Sequence, residues 1–255
     1  MTPQERIIFA LDVPEKQEAL KFVHQLEGLV TFYKVGWELF LAEGLGLVRE
    51  LKSRGHRVFL DLKIQDDVDE TVKRYIQVAV REQIDLVTLH GSEKLFRTAR
   101  QAKGEAPLQL LSLTLLSNMD ESAMKEIGLL DNGTGFCLPF DKAEDYVTWK
   151  ATRTFEAGAD GFIASGRFVK IVRGLFKGRQ PLIVSPGVRP SGSSHAEHKN
   201  VLTPREAILT GSDYLVVGRP IRDASSPQAV TQGIVREIEE ALASQASGSA
   251  KISVD

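Results

Sequence analysis

Two side chains of opposite charge, Asp61 and Lys63, lie two positions apart at the end of the apolar segment Arg57–Lys63. Residues two apart in a β-strand point to the same face, so the carboxylate and the ammonium would lie side by side, with Phe59 below them. Leaving such charges unpaired in a partly dry space costs several kcal/mol, so each needs a partner. Lys34, in the preceding apolar segment, would extend the pair into an alternating array of lysine and aspartate. The alternative is an ordinary ion pair at the surface.

Other polar side chains stand where further apolar segments end. Asp12 ends the first segment, His90 ends the fourth, and Asp66 and Asp67 follow Lys63 in the next loop. In a parallel barrel the reactive groups project from the carboxyl ends of the strands. These positions are therefore candidates for a catalytic site.

Two segments that contain glycine and arginine predict a phosphate site. They are Ser185-Pro-Gly-Val-Arg189 and Val217-Gly-Arg-Pro-Ile221. Glycine lets backbone N–H groups approach an anion closely, and arginine adds charge-assisted hydrogen bonds. Barrels frequently bind phosphate with the loops after strands seven and eight. The alternative is that the glycines only form tight turns.

Eight short apolar segments alternate with longer segments of helical periodicity, and several of them are continuously apolar, as in strands covered on both faces of a parallel sheet. The predicted strands are Ile7–Val13, Val30–Gly36, Arg57–Lys63, Ile84–His90, Gln109–Leu116, Ala159–Ser165, Pro181–Val188 and Asp213–Arg219. Amphipathic helices are predicted at Glu15–Leu26, Thr71–Arg81, Asp141–Ala157 and Val230–Leu242. This order and length predict an α/β fold, a single-domain (β/α)8 TIM barrel, with a doubly wound open sheet as the alternative.

The chain has no evident linker or repeat. Residues 1–242 are predicted to form one catalytic domain, and the small, polar residues 243–255 a disordered tail. The segment Asp131–Phe140 fits either a loop or a short additional strand.

The composition argues against several functional classes. The chain has 255 residues, with 32 Lys and Arg against 34 Asp and Glu, which is not the basic excess of a nucleic-acid-binding protein. A single cysteine, Cys137, excludes an internal disulfide and a cysteine-based zinc site. No apolar segment approaches the ~20 residues of a membrane span, and the amino terminus lacks a signal-peptide pattern. We expect a cytoplasmic protein that binds neither a membrane nor nucleic acid.

Together these motifs resemble the orotidine 5′-phosphate decarboxylases, the family that makes UMP. The resemblance runs through most of the chain. Five segments carry it: FALDV (Phe9–Val13), YKVG (Tyr33–Gly36), FLDLK (Phe59–Lys63), SPGVRPSGS (Ser185–Ser193) and LTPREAILTGSDYLVVGRPI (Leu202–Ile221). The Asp-x-Lys motif followed by an aspartate is shared across a wider barrel superfamily, but its combination with the other segments is far more specific.

The resemblance implies cofactor-independent decarboxylation of orotidine 5′-phosphate to UMP in pyrimidine biosynthesis. It also implies a homodimer with active sites at the interface and no metal. The implied catalytic residues are Lys63 as proton donor, Asp61, Lys34 and one aspartate of the loop after Lys63. The implied substrate contacts are Asp12 to the ribose, Ser117 near the pyrimidine, Arg189, Arg219 and the Gly218 amide to the 5′-phosphate, and Thr71.

Three departures from the family pattern leave roles open. Counting forward from Asp61 selects Asp66 as the aspartate that the family donates across its dimer interface, whereas counting back from the Glu-Thr-Val segment of the next helix selects Asp67. Asp69 replaces the usual proline of this turn. His198 aligns with a glutamine that helps bind phosphate in many members, so this substrate contact is a candidate only.

Two other functions compete with the implied one. A Mg2+-dependent phosphosugar decarboxylase or aldolase of the same superfamily would hold its metal on the shared acidic residues. A non-catalytic nucleotide-binding barrel is the second alternative, but nucleotide binding alone does not need both Lys34 and Lys63.

Overall fold

Eight parallel strands close into a barrel in the computed structural model, which describes residues 1–133, 135, 137–176, 178–191 and 202–250. The strands are β1 (Ile7–Ala10), β2 (Phe32–Val35), β3 (Arg57–Gln65), β4 (Leu86–His90), β5 (Gln109–Leu113), β6 (Gly161–Ile163), β7 (Leu182–Ser185) and β8 (Tyr214–Val217). Each strand pairs with the next along the chain, and β1 pairs with β8. This closure confirms the predicted (β/α)8 barrel and excludes the open sheet.

Helices connect the strands on the outside of the barrel. After a 3-10 turn at Gln4–Arg6 they are α1 (Lys16–Gln25), α2 (Trp37–Glu43), α3 (Leu45–Ser53), α4 (Asp69–Arg81), α5 (Glu93–Lys103), α6 (Glu121–Glu126), α7 (Ala143–Glu156), α8 (Phe168–Leu175), α9 (Pro204–Thr210), α10 (Arg219–Arg222) and α11 (Pro227–Ala250). All four predicted helices are present. None of the described helices has the length and hydropathy needed to cross a bilayer.

The strands read as continuous apolar runs because both of their faces are buried. In β1, Ile8 and Ala10 point into the barrel, where they pack with Phe59 and other interior residues. Ile7 and Phe9 point outward into the layer between strands and helices. Period-two alternation therefore separates two apolar environments rather than an apolar and an aqueous one.

Aspartates at the starts of alternate strands stabilise the amino-terminal end of the barrel. Asp85 accepts a hydrogen bond from the Val58 amide, Asp160 from the Leu110 amide and Asp213 from the Ile183 amide. Each carboxylate also forms ion pairs with surrounding helices or strands. Asp85 pairs with Lys52 and Arg57, Asp160 with Lys103 and Arg100, and Asp213 with Arg173. This end of the barrel thus holds ion pairs that join strands to helices, away from the carboxyl-end residues singled out above.

β3 contains a bulge at the residues with predicted chemistry. Leu60 pairs with Val87 and Ile64 with Leu89, so the stretch from 60 to 64 on β3 lies against only 87 to 89 on β4. Lys63 lies inside this bulge with a φ of 48°. That left-handed backbone costs a non-glycine residue roughly 1–2 kcal/mol. Bulges near active sites change the direction in which side chains point, and this bulge does so at the end of β3.

The carboxyl-terminal helix is longer than predicted, and the described part of the segment Asp131–Phe140 is a loop rather than a strand. α11 continues to Ala250, so helix occupies part of the segment assigned to a tail. The disorder predicted for that tail stays a prediction. The described residues of Asp131–Phe140 form a loop without a strand, which is closed by a hydrogen bond from the Asp131 amide to the Phe140 carbonyl (2.9 Å).

Candidate active site

A cavity of about 230 Å³ opens at the carboxyl ends of the strands. Its floor consists of interior barrel residues such as Phe59, Leu113 and Ile163. Its polar rim contains eight of the residues singled out in the sequence: Asp12, Lys34, Asp61, Lys63, Ser117, Arg189, Gly218 and Arg219. Barrel closure therefore brings together residues that are more than two hundred positions apart in the chain.

Lysine and aspartate alternate along one wall of this cavity. The Lys34 ammonium lies 2.7 Å from Asp12 Oδ1 and 3.9 Å from Asp61 Oδ2, and the Lys63 ammonium lies 3.1 Å from Asp61 Oδ2. The Lys34 and Asp61 side chains are only 10% and 14% exposed, so their charges are largely removed from water. These four side chains form a chain of ion pairs inside the cavity rather than an isolated ion pair at the surface. Lys63 and Asp61 share the cavity although Lys63 lies in a bulge, where simple alternation does not apply.

Thr88 holds Asp61 from the neighbouring strand. Its hydroxyl donates to Asp61 Oδ1 over 2.7 Å, and the residue is fully buried. Asp61 therefore uses one oxygen for Thr88 and the other for lysine. Thr88 was not among the site residues predicted from the sequence. Its signal was a hydroxyl residue two positions before His90 in an otherwise apolar strand, which places it on the interior face with Leu86.

Gly36 leaves room for the charged array. A β-carbon at this position would lie 3.2 Å from the Lys34 ammonium and 3.5 Å from Asp12 Oδ1. The larger side chain would press on the closest ion pair of the cavity. This steric restriction explains why a glycine follows so closely after Lys34 in the YKVG segment.

The loops after β7 and β8 bring the predicted phosphate-binding groups to the same cavity. Gly187 and Arg189 follow β7, while Gly218 and Arg219 follow β8. Gly187 has a φ of 74°, which glycine adopts at little cost. The Arg189 amide donates to the Leu202 carbonyl over 3.0 Å, which ties the loop to the chain before α9. Two guanidinium groups and two glycines at one rim can receive an anion.

Asp66, Asp67 and Thr71 do not line the cavity. Both carboxylate oxygens of Asp66 are held by Ser92, one by its amide (2.7 Å) and one by its hydroxyl (2.6 Å). Asp67 is exposed and accepts hydrogen bonds from the Val68 amide and the Tyr75 hydroxyl. Thr71 lies in the first turn of α4. His198 lies outside the described residues.

A second group of ionisable residues, His90 and Lys150, lies near Asp66 and Lys63. His90 ends β4, and burial, followed by the nearby Lys150 and Lys63 ammonium groups, lowers the pKa of its imidazole, while Asp66 acts in the opposite direction. The imidazole is therefore mainly neutral at pH 7. Burial likewise lowers the pKa of Lys150, against the influence of Asp66.

Within the described part of the chain, no three His, Cys, Asp or Glu side chains are grouped so that they could hold a metal ion. The acidic groups Asp12 and Asp61 instead contact ammonium groups. Chemically, the cavity offers two ammonium groups and two carboxylates in one ion-paired array, together with two arginines on the loops after β7 and β8. Such preorganised charge can stabilise charge that develops in a reaction.

Comparisons with known proteins give the family. Residues 5–234 match the family described as orotidine 5′-phosphate decarboxylase / HUMPS. An orotidine 5′-phosphate decarboxylase of Nitrobacter winogradskyi is 39% identical over 94% of this chain and 95% of its own. One of Nitrosococcus oceani is 38% identical over 92% and 98%. The crystal structure of the Lactobacillus acidophilus orotidine 5′-phosphate decarboxylase has a TM-score of 0.75 at 28% identity, covering 92% and 99%.

The matched range contains all eight strands and all the cavity residues named above. The relatives align over nearly their whole length, so the similarity concerns the entire barrel. These findings confirm the resemblance carried by the five sequence segments. The chain belongs to the orotidine 5′-phosphate decarboxylase / HUMPS family.

Proposed function

We propose that this protein is a carbon–carbon lyase that converts orotidine 5′-phosphate to UMP and CO2 in pyrimidine biosynthesis, in the cytoplasm. The observation that carries the proposal is a single cavity that contains both the Asp12–Lys34–Asp61–Lys63 array and, on the loops after β7 and β8, Arg189 and Arg219. A nucleotide with a reactive carboxylate at one end and a phosphate at the other matches this distribution of charge. The names of the relatives support the same substrate.

The reaction breaks the bond between ring C6 and the carboxylate carbon. CO2 leaves, the electron pair stays on C6, and a proton then adds to C6. Enzymes lower barriers by about 8–23 kcal/mol, and preorganised charge is the contribution large enough to supply most of it. In our proposal Asp61 crowds the substrate carboxylate, and the Lys63 ammonium stabilises the developing carbanion and donates the proton.

The remaining cavity residues bind and orient the nucleotide. Lys34 pairs with Asp12 and Asp61 and keeps the array rigid, because each charge has a partner at fixed distance. Asp12 is assigned to the ribose and Ser117 to the pyrimidine. Arg189, Arg219 and the Gly218 amide are assigned to the 5′-phosphate, whose binding energy is used at the reacting end.

The pairing of the acidic residues also favours this reaction over a Mg2+-dependent one. A metal at Asp12 or Asp61 would have to displace or repel ammonium groups that lie within 2.7–3.1 Å of them. The direct test is the loss of orotidylate absorbance, measured with and without EDTA. Equal rates in both support the proposal. Loss of activity with EDTA favours the metal-dependent lyase, and binding of UMP without consumption of orotidylate favours a non-catalytic barrel.

We also propose that the protein is a homodimer and that Asp67, rather than Asp66, reaches the partner's cavity. Both carboxylates are exposed, but Ser92 binds both oxygens of Asp66 across the turn after β4, whereas Asp67 contacts only the adjacent Val68 and Tyr75 of α4. Large apolar side chains are exposed on the same βα unit and on the preceding one: Val68, Tyr75, Trp37 and Leu41. An apolar exposed surface of this kind is typical of an interface between proteins.

Sedimentation tests the dimer. Leu41→Glu should shift the protein towards monomer and lower the rate, while Ile127→Glu, at an exposed apolar residue directly after α6, should leave both unchanged. Mixing Lys63→Ala and Asp67→Asn subunits should restore activity, because one site of the mixed dimer then has both groups intact. A monomeric, fully active wild-type protein would contradict the dimer, and absence of restoration would contradict the assignment of Asp67.

A further inference from the structure

Lys150 is a buried lysine for which the proposed reaction gives no role. It lies on α7, is 9% exposed, and its ammonium donates to the Gly91 carbonyl over 2.6 Å. A buried ammonium is costly unless it is hydrogen-bonded and near an opposite charge. Asp66 provides that charge, since it is the carboxylate whose influence on Lys150 opposes burial. The side chain thus joins α7 to the turn between β4 and α5.

Asp66 fastens the same turn from the other side. Its carboxylate accepts hydrogen bonds from the amide and the hydroxyl of Ser92. It also packs so closely on Gly91 that a β-carbon there would collide with it. Gly91 and Ser92 are therefore held between the Lys150 ammonium and the Asp66 carboxylate. We call Asp66, Gly91, Ser92 and Lys150 the turn clamp.

The turn clamp begins where the bulge of β3 ends. After the bulge, Ile64 pairs with Leu89 and Gln65 with His90, so regular pairing resumes directly before Asp66 and Gly91. Lys63 lies inside the bulge with a left-handed backbone that its surroundings must maintain. A shift of the turn would move the far end of the bulge and with it the Lys63 ammonium.

We propose that Lys150 is a positioning residue: by holding the Gly91 carbonyl opposite Asp66, it locks the loop after β3 to the turn after β4 and so sets the position of Lys63. This inference rests on the proposed function for its kinetic test. It assigns Asp66 to this chain's own clamp and adds a residue of α7, which does not touch substrate, to the determinants of catalysis.

The kinetic experiment compares Lys150→Met with Lys103→Met. Lys103 is a matched control, since it is also buried (6% exposed) and bonded to a backbone carbonyl and an aspartate, but at the amino-terminal end of the barrel. A misplacement of about 1 Å can cost ~10²-fold in rate, so we expect Lys150→Met to lower kcat at least ~10-fold. KM should change by less than about 3-fold, because the phosphate and ribose contacts are untouched.

Both variants should lower the midpoint of thermal unfolding, but Lys103→Met should retain kcat. Lys150→Arg should recover part of the lost kcat, because a guanidinium can donate to the same carbonyl. Ser92→Ala, at an exposed position, loosens the clamp without burying an unpaired charge and should lower kcat by about 3-fold. It serves as the deciding variant if Lys150→Met does not fold.

Amide hydrogen exchange measures the clamp independently of turnover. Lys150→Met should speed exchange at the Ser92 amide and in residues 64–68, and Lys103→Met should not. If the wild-type protein consumes no orotidylate, the proposed function fails while the exchange result still decides the clamp. Unchanged exchange at these sites, unchanged kcat in Lys150→Met and Ser92→Ala, or equal loss of kcat in Lys103→Met would each overturn the inference.

Discussion

Asp61 is the residue on which the charged array depends. Its oxygens face Thr88 on one side and Lys63 and Lys34 on the other, at 2.7, 3.1 and 3.9 Å. A carboxylate that is 14% exposed would be strongly destabilised without these donors. In our mechanism the same fixed charge acts on the substrate carboxylate, and Lys63 acts on the carbon that carbon dioxide leaves.

Lys63→Ala should abolish turnover, with kcat at least ~10³-fold lower, because it removes both the charge opposite the carbanion and the proton donor. Binding of UMP should change by less than about 3-fold, since UMP carries no carboxylate at C6 and keeps its phosphate contacts. Steady-state kinetics and calorimetric titration with UMP measure the two quantities. A variant with near-normal kcat would remove Lys63 from its assigned role.

Arg219→Ala should selectively weaken the binding of phosphorylated ligands. A charge-assisted hydrogen bond is worth about 1.5–3 kcal/mol, so the affinity for UMP should fall by at least ~10-fold. Uridine lacks the phosphate, and its weak affinity should be nearly unchanged. Titration of both ligands with wild type and variant gives the comparison, and equal losses for nucleoside and nucleotide would contradict the phosphate assignment.

At the scale of elements, the two ends of the strands have separate tasks. An aspartate stands directly before each of β4, β6 and β8. Its carboxylate accepts a hydrogen bond from a backbone amide of the preceding strand and forms an ion pair with a neighbouring cation. The carboxyl ends carry the cavity residues, and one of them, the end of β3, departs from regular pairing. The ion pairs at the amino-terminal end can thus stabilise the closed barrel. The carboxyl end can then maintain the left-handed backbone of Lys63 and the charged array of the cavity.

Gly161→Ala should destabilise the barrel where β6 meets β7. Its β-carbon would collide with the Leu182 carbonyl, which belongs to the paired strand. Overpacking of this kind costs about 1–3 kcal/mol. Gly174→Ala, on α8 with open space around its β-carbon, should instead be neutral or stabilising by up to about 1 kcal/mol. Urea unfolding of both variants measures the difference, and equal midpoints would refute the steric argument.

At the scale of the whole molecule, closing the barrel removes ionisable groups from water along with the apolar ones. His90 and His56 are partly buried, and burial is the main cause that lowers the pKa of each imidazole below its ordinary value of 6.5. The unfolded chain therefore binds a proton at these residues more readily than the folded protein. Their neutral forms contribute stability that is fully present above pH 6.5 and is lost as the pH falls below it.

His90→Asn should flatten this decline. The free energy of unfolding of the wild-type protein should fall as the pH is lowered from about 7.5 to about 5.5. The reason is that the unfolded chain takes up a proton at residue 90, whereas in the folded protein burial and the nearby Lys150 and Lys63 ammonium groups disfavour protonation of His90. Asp66 offsets these two cations only in part. Urea unfolding at both pH values gives the slope, and an identical slope in the variant would assign the pH dependence to other groups.

The sequence by itself determined the class of fold, the strand positions and the family. Eight apolar segments in a regular alternation with amphipathic ones predict a barrel, because each strand must be covered on both faces. Motifs such as FLDLK and GRPI are local, so their residue types and spacing are visible without coordinates. Seven of the eight residues on the polar rim of the cavity lie in such motifs, and Ser117 was implied by the family resemblance.

Only the tertiary structure decided which groups act on which. It placed Thr88 against Asp61, Lys150 against Gly91, and Asp66 rather than Asp67 against Ser92. It also put Lys63 in a bulge, where period-two alternation no longer predicts direction. The reason is physical: alternation and propensity are properties of neighbouring residues, whereas pairing between strands and burial of a charge depend on segments that meet only when the barrel closes.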